Sequence, residues 1–383
     1  MRVEEVHFNH DTGAASADAL NIRVNAAGTS IVAPEWKRGL PSQPAAYAAA
    51  ALGAQVTIKA RFSGGPSDGA HRIRAIDAWV PPATPAGCLG WLTQWLAQLL
   101  HALFGNVLGN TDARTVTFDA AGNSGLETFT LLNHKLKTSG VGIRTTDWKW
   151  QYRHGSHWHD FDTTQHKIYL VLDMPQAPWN QNPAGNNLQL PWTDALDRAC
   201  SWALGVTTKD AAAERITVAV NTQSNQSYTP STMFLDSATG AYKLTSYLTQ
   251  INGGAPFKLN CTDCADAVTT FSNLLGCDLF EGRFFNMQTK PFLTLNGNPA
   301  TATDWVTWNW SYHEICWLHQ IGQNELTYDG CLQLDLSNTA GTHVAQHPVK
   351  MPFGMSAPND YRFRLVQSGP ATLASTTSRR LVK

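Results

Sequence analysis

Between Met174 and Pro183 the chain reads MPQAPWNQNP, and three prolines in ten residues exclude both an unbroken helix and an unbroken strand ladder. At 383 residues the chain is too long for one small core. The break therefore predicts two domains, 1–175 and 176–383. The periodicity changes across it. Before the break, Ala19–Val24, Gln55–Phe62, Arg72–Val80, Thr115–Asp119, Glu127–Leu132, Thr146–Tyr152 and His166–Leu172 alternate or cluster β-branched and aromatic residues, with Gly, Asn, Ser and Pro in the gaps. Roughly seven short strands of this kind predict an all-β, immunoglobulin-like sandwich. After the break, Trp192–Leu204 (opened by the capping pattern Thr193-Asp194), Lys209–Asn221, Tyr242–Leu248 and Cys264–Leu275 carry helical spacing. Asp304–Leu318 and Leu326–Asp335 follow as strands, which makes the second domain α+β.

One stretch tests a soluble reading. Pro81–Thr111 holds no charged residue, and Leu89–Leu108 approaches the length of a membrane span. Thr93, Gln94, Gln98, His101 and Asn106 interrupt it, while Leu92, Trp95, Leu96, Leu99, Leu103 and Val107 recur at helical spacing. The expectation is an amphipathic helix inserted in the sandwich and covering its core; contact with a partner or a membrane surface is the alternative. Net charge is −1, without a Lys/Arg patch, which removes the electrostatic case for a nucleic-acid partner. The N-terminus, Met1-Arg2-Val3-Glu4-Glu5, lacks the apolar run of a signal peptide. Seven cysteines leave at least one unpaired, and without an export signal they are read as reduced thiols in a cytoplasmic protein; export by a specialised apparatus would leave no mark here.

The chemistry concentrates in three places. In Asn260-Cys261-Thr262-Asp263-Cys264-Ala265, Cys261 stands at the entry of an amphipathic helix that stops at Gly276. Unsatisfied N–H groups and the positive end of the macrodipole favour a thiolate there and can hold an oxyanion. In Trp308–Leu318, His313 shares a strand face with Ser311 and Ile315, opposite Tyr312 and Glu314, and imidazole suits the base that thiol catalysis needs. Sixteen residues later Asp329 follows Tyr328, where a hairpin can bring its carboxylate to the imidazole and fix the tautomer. Asp335 is the rival for that role. On one regular strand Asp329 and Asp335 would share a face about 20 Å apart, so only one could serve.

This order resembles the transglutaminase-like superfamily, which includes transglutaminases and related cysteine proteases, amidases and peptide N-glycanases. The matching residues are Cys261-Thr262-Asp263-Cys264-Ala265, Gly276 after the helix, His313 within a strand, and Tyr328-Asp329; the helical stretch Trp192–Asn221 looks like the family's upstream helices. The resemblance covers roughly 190–340 and not the first 175 residues. It departs from the family at Ile315, where Trp is common two residues after the histidine, and at Tyr328, adjacent to the aspartate where Trp commonly lies a few residues before it. It implies a transglutaminase-like C-terminal domain with Cys261, His313 and Asp329 as catalytic residues, without cofactor or metal, acting on a protein or peptide substrate as a hydrolase or acyl-transferase. Cys264 is expected to be dispensable.

Rival readings use the same residues. Cys261 and Cys264 form a Cys-x-x-Cys pair, with Cys277, His313, Cys316 and Cys331 downstream, but zinc lacks a second knuckle, and no βαβ pattern supports a thioredoxin-type site. His157 and His159 could bind metal from one strand face, although His154–Asp160 reads better as a loop between the Trp148 and His166 strands. From a different class, the chain could be a catalytically inactive binding or assembly module that uses exposed tryptophans and the apolar helix.

Overall fold

The computed structural model describes every residue except 11–17, 78–106, 182–188, 338 and 340. The inserted helix expected over Leu89–Leu108 lies, as far as residue 106, outside the described residues. The described chain is mostly β and divides into two compact units: Met1–Val24, Gly28–Met174 and Leu204–Thr207 in the first, Asn25–Ala27, Pro175–Ala203 and Thr208–Lys383 in the second. No described helix is long and apolar enough to cross a membrane.

In the first unit, alternation puts apolar side chains on one face of each of two five-stranded sheets. One runs in the order Trp36–Lys37, Arg2–His7, Thr57–Ser63, Glu127–Leu132, Asn110–Thr111, and the other Ala45–Ala48, His157–Val171, Gly142–His154, Ala70–Asp77, Arg114–Thr117. Phe62 and Phe129 from the first sheet and Trp148, Trp150 and Ile168 from the second share one buried cluster. Phe62 and Trp150 meet edge to face at 5.2 Å. His154–Asp160 is not a loop. The ladder of Gly142–His154 against His157–Val171 continues to the pair His154–His157, so Gly155-Ser156 is a two-residue turn with Gly155 at φ +58°. Among the described residues no group of His, Cys, Asp or Glu could hold a metal ion.

The second unit is built round the helix Cys261–Leu274. It is buried on every side, which corrects the expectation of an amphipathic helix. Most of its polar residues are tied down, although Ser272 Oγ has no hydrogen-bond partner among the described residues. Asp263 accepts from the N–H groups of Met233, Phe234 and Asn260, and Asn273 exchanges hydrogen bonds with Leu279 and donates to the Ala177 carbonyl. A sheet ordered Met351–Pro352, Leu326–Tyr328, Asn309–Leu318, Leu279–Thr289, Val366–Ser368 packs on the helix, with Thr372–Ser378 also paired to Leu279–Thr289. A short parallel pair, Gln226–Tyr228 and Phe257–Leu259, leads into the helix. The helices Thr193–Trp202 and Lys209–Thr222 pack against it as well.

Other expectations are corrected. The Trp192–Leu204 helix begins at Thr193 after Trp192 and has no side-chain cap, so Thr193-Asp194 lies inside it. The expected helix over Tyr242–Leu248 occupies Leu244–Gly253 and ends at the left-handed Gly254. Asp304–Leu318 breaks into a 3-10 turn, a short strand Trp305–Val306 in a second sheet, and Asn309–Leu318. Leu326–Asp335 also divides: Leu326–Tyr328 belongs to the main sheet and Gln333–Asp335 to the second. The turn between them passes Gly330, where a Cβ would meet Val268 Cγ2 at 2.8 Å and Val220 Cγ1 at 3.1 Å, so the chain clears two helices only as glycine. The reading of many exposed tryptophans is corrected in part, since Trp148, Trp150, Trp179, Trp192 and Trp317 are fully buried.

Candidate active site

Cys261 opens its helix because the local sequence closes the helix end. Asn260, in extended conformation, accepts from the Asp263 N–H at 3.0 Å, and Asp263 accepts from the Asn260 N–H at 3.0 Å, a reciprocal capping box. Asn260 also donates to Thr232 Oγ1 at 2.8 Å. At the other end Gly276 takes φ +91°, and the N–H groups of Gly276 and Cys277 return to the carbonyls of Asn273 and Ser272. The helix is thereby fixed at both ends, with Cys261 in its first turn.

His313 lies on the strand Asn309–Leu318, and the strand Leu326–Tyr328 pairs with it as Cys316–Tyr328 and Trp317–Thr327. Extending that register sets Asp329 opposite Ile315, diagonal to His313 on one face. His313 Nε2 and Asp329 Oδ2 are 2.9 Å apart, both fully buried. Tyr361 Oη donates to the same Oδ2 at 2.6 Å, and the Cys331 N–H donates to Oδ1 at 2.7 Å. The Asp329 N–H is itself tied to the Pro348 carbonyl at 2.9 Å. Trp310 stacks flat on the imidazole, ring centres 4.3 Å apart and planes 10° from parallel, and Phe284 meets it edge-on.

With Nε2 committed to Asp329, the imidazole has Nδ1 free of any hydrogen bond of ordinary geometry among the described residues. The Cys261 thiol is close enough for it and the ring to bond and shift one another's titration. Burial alone would lower His313, but the Asp329 carboxylate and then the thiol more than offset it and raise the imidazole to about 10. Burial also pushes the Cys261 thiol up, and the hydrogen bond and charge of His313 oppose this. The sequence argument from the helix N-terminus left out desolvation, which dominates here. The thiol's net direction is upward, and it and the imidazole titrate together.

The remaining candidates are placed elsewhere. Asp335 caps the N–H groups of Ser337 and Val344 and binds His343 Nδ1 at 2.7 Å. Cys264, one turn along the helix, bonds with Cys331, and burial raises both thiols. The six described cysteines are buried, and none is in a disulfide. His159 stacks on Tyr152 at the hairpin tip. Sequence reasoning missed Tyr361, Trp310 and Glu314. Trp310 and Glu314 flank His313 in the chain and could have been nominated, whereas Tyr361 arrives from a separate short helix, Tyr361–Leu365, and carries no sequence signal.

No family model matches the chain, and a comparison with curated proteins finds no match. Among solved structures it is similar to a red sea bream transglutaminase at 10% identity and a TM-score of 0.38, covering 82% of this chain and 52% of the other. The chain spans about half the length of that structure. A likeness at that level assigns neither fold nor activity.

Proposed function

We propose that the second unit is a cysteine-nucleophile hydrolase or acyl-transferase acting on peptide or carboxamide bonds, with Cys261 as nucleophile, His313 as base and Asp329 as its orienter. The observation that carries the reading is the imidazole held by Asp329 at 2.9 Å with its other nitrogen left to the thiol of a helix-opening cysteine. In this mechanism the Cys261 thiolate attacks the carbonyl carbon, and the first N–H groups of the helix stabilise the oxyanion. The leaving amine takes its proton from His313 and a thioester remains on Cys261. Water, deprotonated by His313, releases an acid; an amine releases a new amide. Cofactor and metal have no part in these steps.

A second reading rests on burial. Cys261 is 4% exposed and its thiol is pushed up, which also suits a fold kept for its surface as a protein-binding module. One experiment separates the two. The protein is incubated in ¹⁸O-water with a mixed peptide digest, with and without a primary amine probe, and products are read by mass. The enzyme reading expects ¹⁸O-labelled carboxyls or amine adducts that vanish in Cys261→Ser. Identical product lists for wild type and Cys261→Ser would remove it.

A further inference from the structure

The residue after the nucleophile is bonded to the residue after the base. Thr262 Oγ1 donates to Glu314 Oε2 at 2.6 Å across the helix–sheet contact, and both side chains are buried. The capping box fixes the helix end along its own axis, and this bond fixes it against the strand that carries His313. Glu314 is held in turn by two guanidinium groups. Arg283, from the adjacent strand, donates to Oε2 at 2.8 Å, and Arg380 donates to Oε1 at 2.7 Å.

Arg380 comes from the last residues of the chain. Its Nη1 also reaches Asp266 Oδ1 at 2.6 Å, on the cysteine helix, and Glu281 Oε2, on the strand Leu279–Thr289. One guanidinium therefore joins the helix and the two central strands. The segment round it is docked along its length. Arg379 lies 3.6 Å over the Phe280 ring, and the N–H groups of Tyr242 and Thr245 donate to the carbonyls of Leu381 and Lys383.

Three buried carboxylates surround Arg380, and Arg283 reaches Glu314 alone. Burial and mutual repulsion raise Asp266 and Glu281, the latter to about 7. Burial presses Glu314 the same way, but Arg380, Arg283 and the Thr262 hydroxyl outweigh it and its carboxyl stays below the ordinary value. Glu314 is thus the ionised acceptor that Thr262 needs.

We propose that Arg380 and Glu314 are positioning residues for the nucleophile: acting through Thr262, they set Cys261 against His313. This rests on the Cys261–His313 reading above. The test is the rate of Cys261 alkylation by iodoacetamide as a function of pH, followed by peptide mapping on the full chain. Thr262→Val keeps the shape and removes the hydroxyl. It should move the alkylation profile up by about one pH unit and slow the reaction at pH 7 about tenfold. Thr262→Ser should stay within about twofold of wild type, because the donor remains. Arg380→Met should shift the profile in the same direction as Thr262→Val. Arg380→Lys should fall between, since one ammonium cannot replace a fork that spans Asp266 and Glu314. Loss of stability alone lowers Tm and leaves the profile of the folded protein in place. A wild-type profile in folded Thr262→Val overturns the proposal, and that variant decides the matter if Arg380→Met does not fold. A wild-type Cys261 that alkylates no faster than the other thiols overturns the function reading as well.

Discussion

Replacing Asp329 with Asn changes one atom and should reorganise the site. In the wild type Oδ2 accepts from both His313 Nε2 and Tyr361 Oη, while Oδ1 accepts from the Cys331 N–H. An amide keeps the bond to Cys331 and then presents its NH₂ to two former donors. His313 can adapt only by turning Nε2 into an acceptor, which puts its proton on Nδ1, where the thiol's proton should go. The raised imidazole depends on the same carboxylate. His313 at about 10, against an ordinary 6.5, corresponds to roughly 4 to 5 kcal/mol in favour of imidazolium at about 1.36 kcal/mol per tenfold. His166 shows what burial does without a carboxylate: it bonds to Thr164 and is driven down to about 3. In Asp329→Asn, His313 should therefore titrate below 6.5, and turnover should fall by two to four orders of magnitude, about 3 to 5 kcal/mol in the barrier. NMR titration of the imidazole reads the first effect, and Cys261 alkylation at pH 7 reads the loss of thiol activation. A folded Asp329→Asn protein with His313 still titrating near 10 and Cys261 alkylating at the wild-type rate would refute the reasoning.

Tyr361→Phe removes one buried donor from Asp329 and should cost about 1 to 3 kcal/mol in denaturant unfolding, while lowering turnover less than Asp329→Asn does, because the His313 bond remains. Asp335→Asn should cost about 1 kcal/mol through its bonds to His343, Ser337 and Val344 and leave Cys261 reactivity unchanged; a crippled Asp335→Asn beside a full-rate Asp329→Asn would exchange their roles. Because the folded His313 is raised above its unfolded value, its stabilisation is complete below about pH 6.5 and disappears as pH rises to about 10. The stability difference between wild type and His313→Gln, from denaturant melts, should shrink across that window, and a constant difference would contradict it.

The parts of the site written in short stretches were legible. Asn260 to Asp263 and Gly276 mark a helix with a cysteine at its head, because capping is decided by residues three or four apart. The sixteen-residue return from His313 to Asp329 fits a hairpin for the same local reason. What escaped depends on contacts that sequence spacing does not encode. Arg380 and Tyr361 meet the site from far along the chain. The strand expected to run through Asp335 breaks at Gly330, because two helices crowd the turn. The effect of burial on the thiol was invisible too, since a helix with seven polar side chains reads as half-exposed until the groups that bind them are known. The tight turn at Gly155-Ser156 was readable, by contrast, from its place between two runs of strand character.

The central claim is that Cys261 is the thiol made reactive by its neighbours. The direct measurement is competitive labelling of the native protein with limiting iodoacetamide at pH 7, quantified for each cysteine peptide. All six described cysteines are 4% exposed or less, so access alone separates them little. The account predicts that Cys261 reacts at least about tenfold faster than Cys200, Cys264, Cys277, Cys316 or Cys331, and that His313→Gln removes the advantage. Equal labelling of all six, or a Cys261 rate unchanged in His313→Gln, would contradict it.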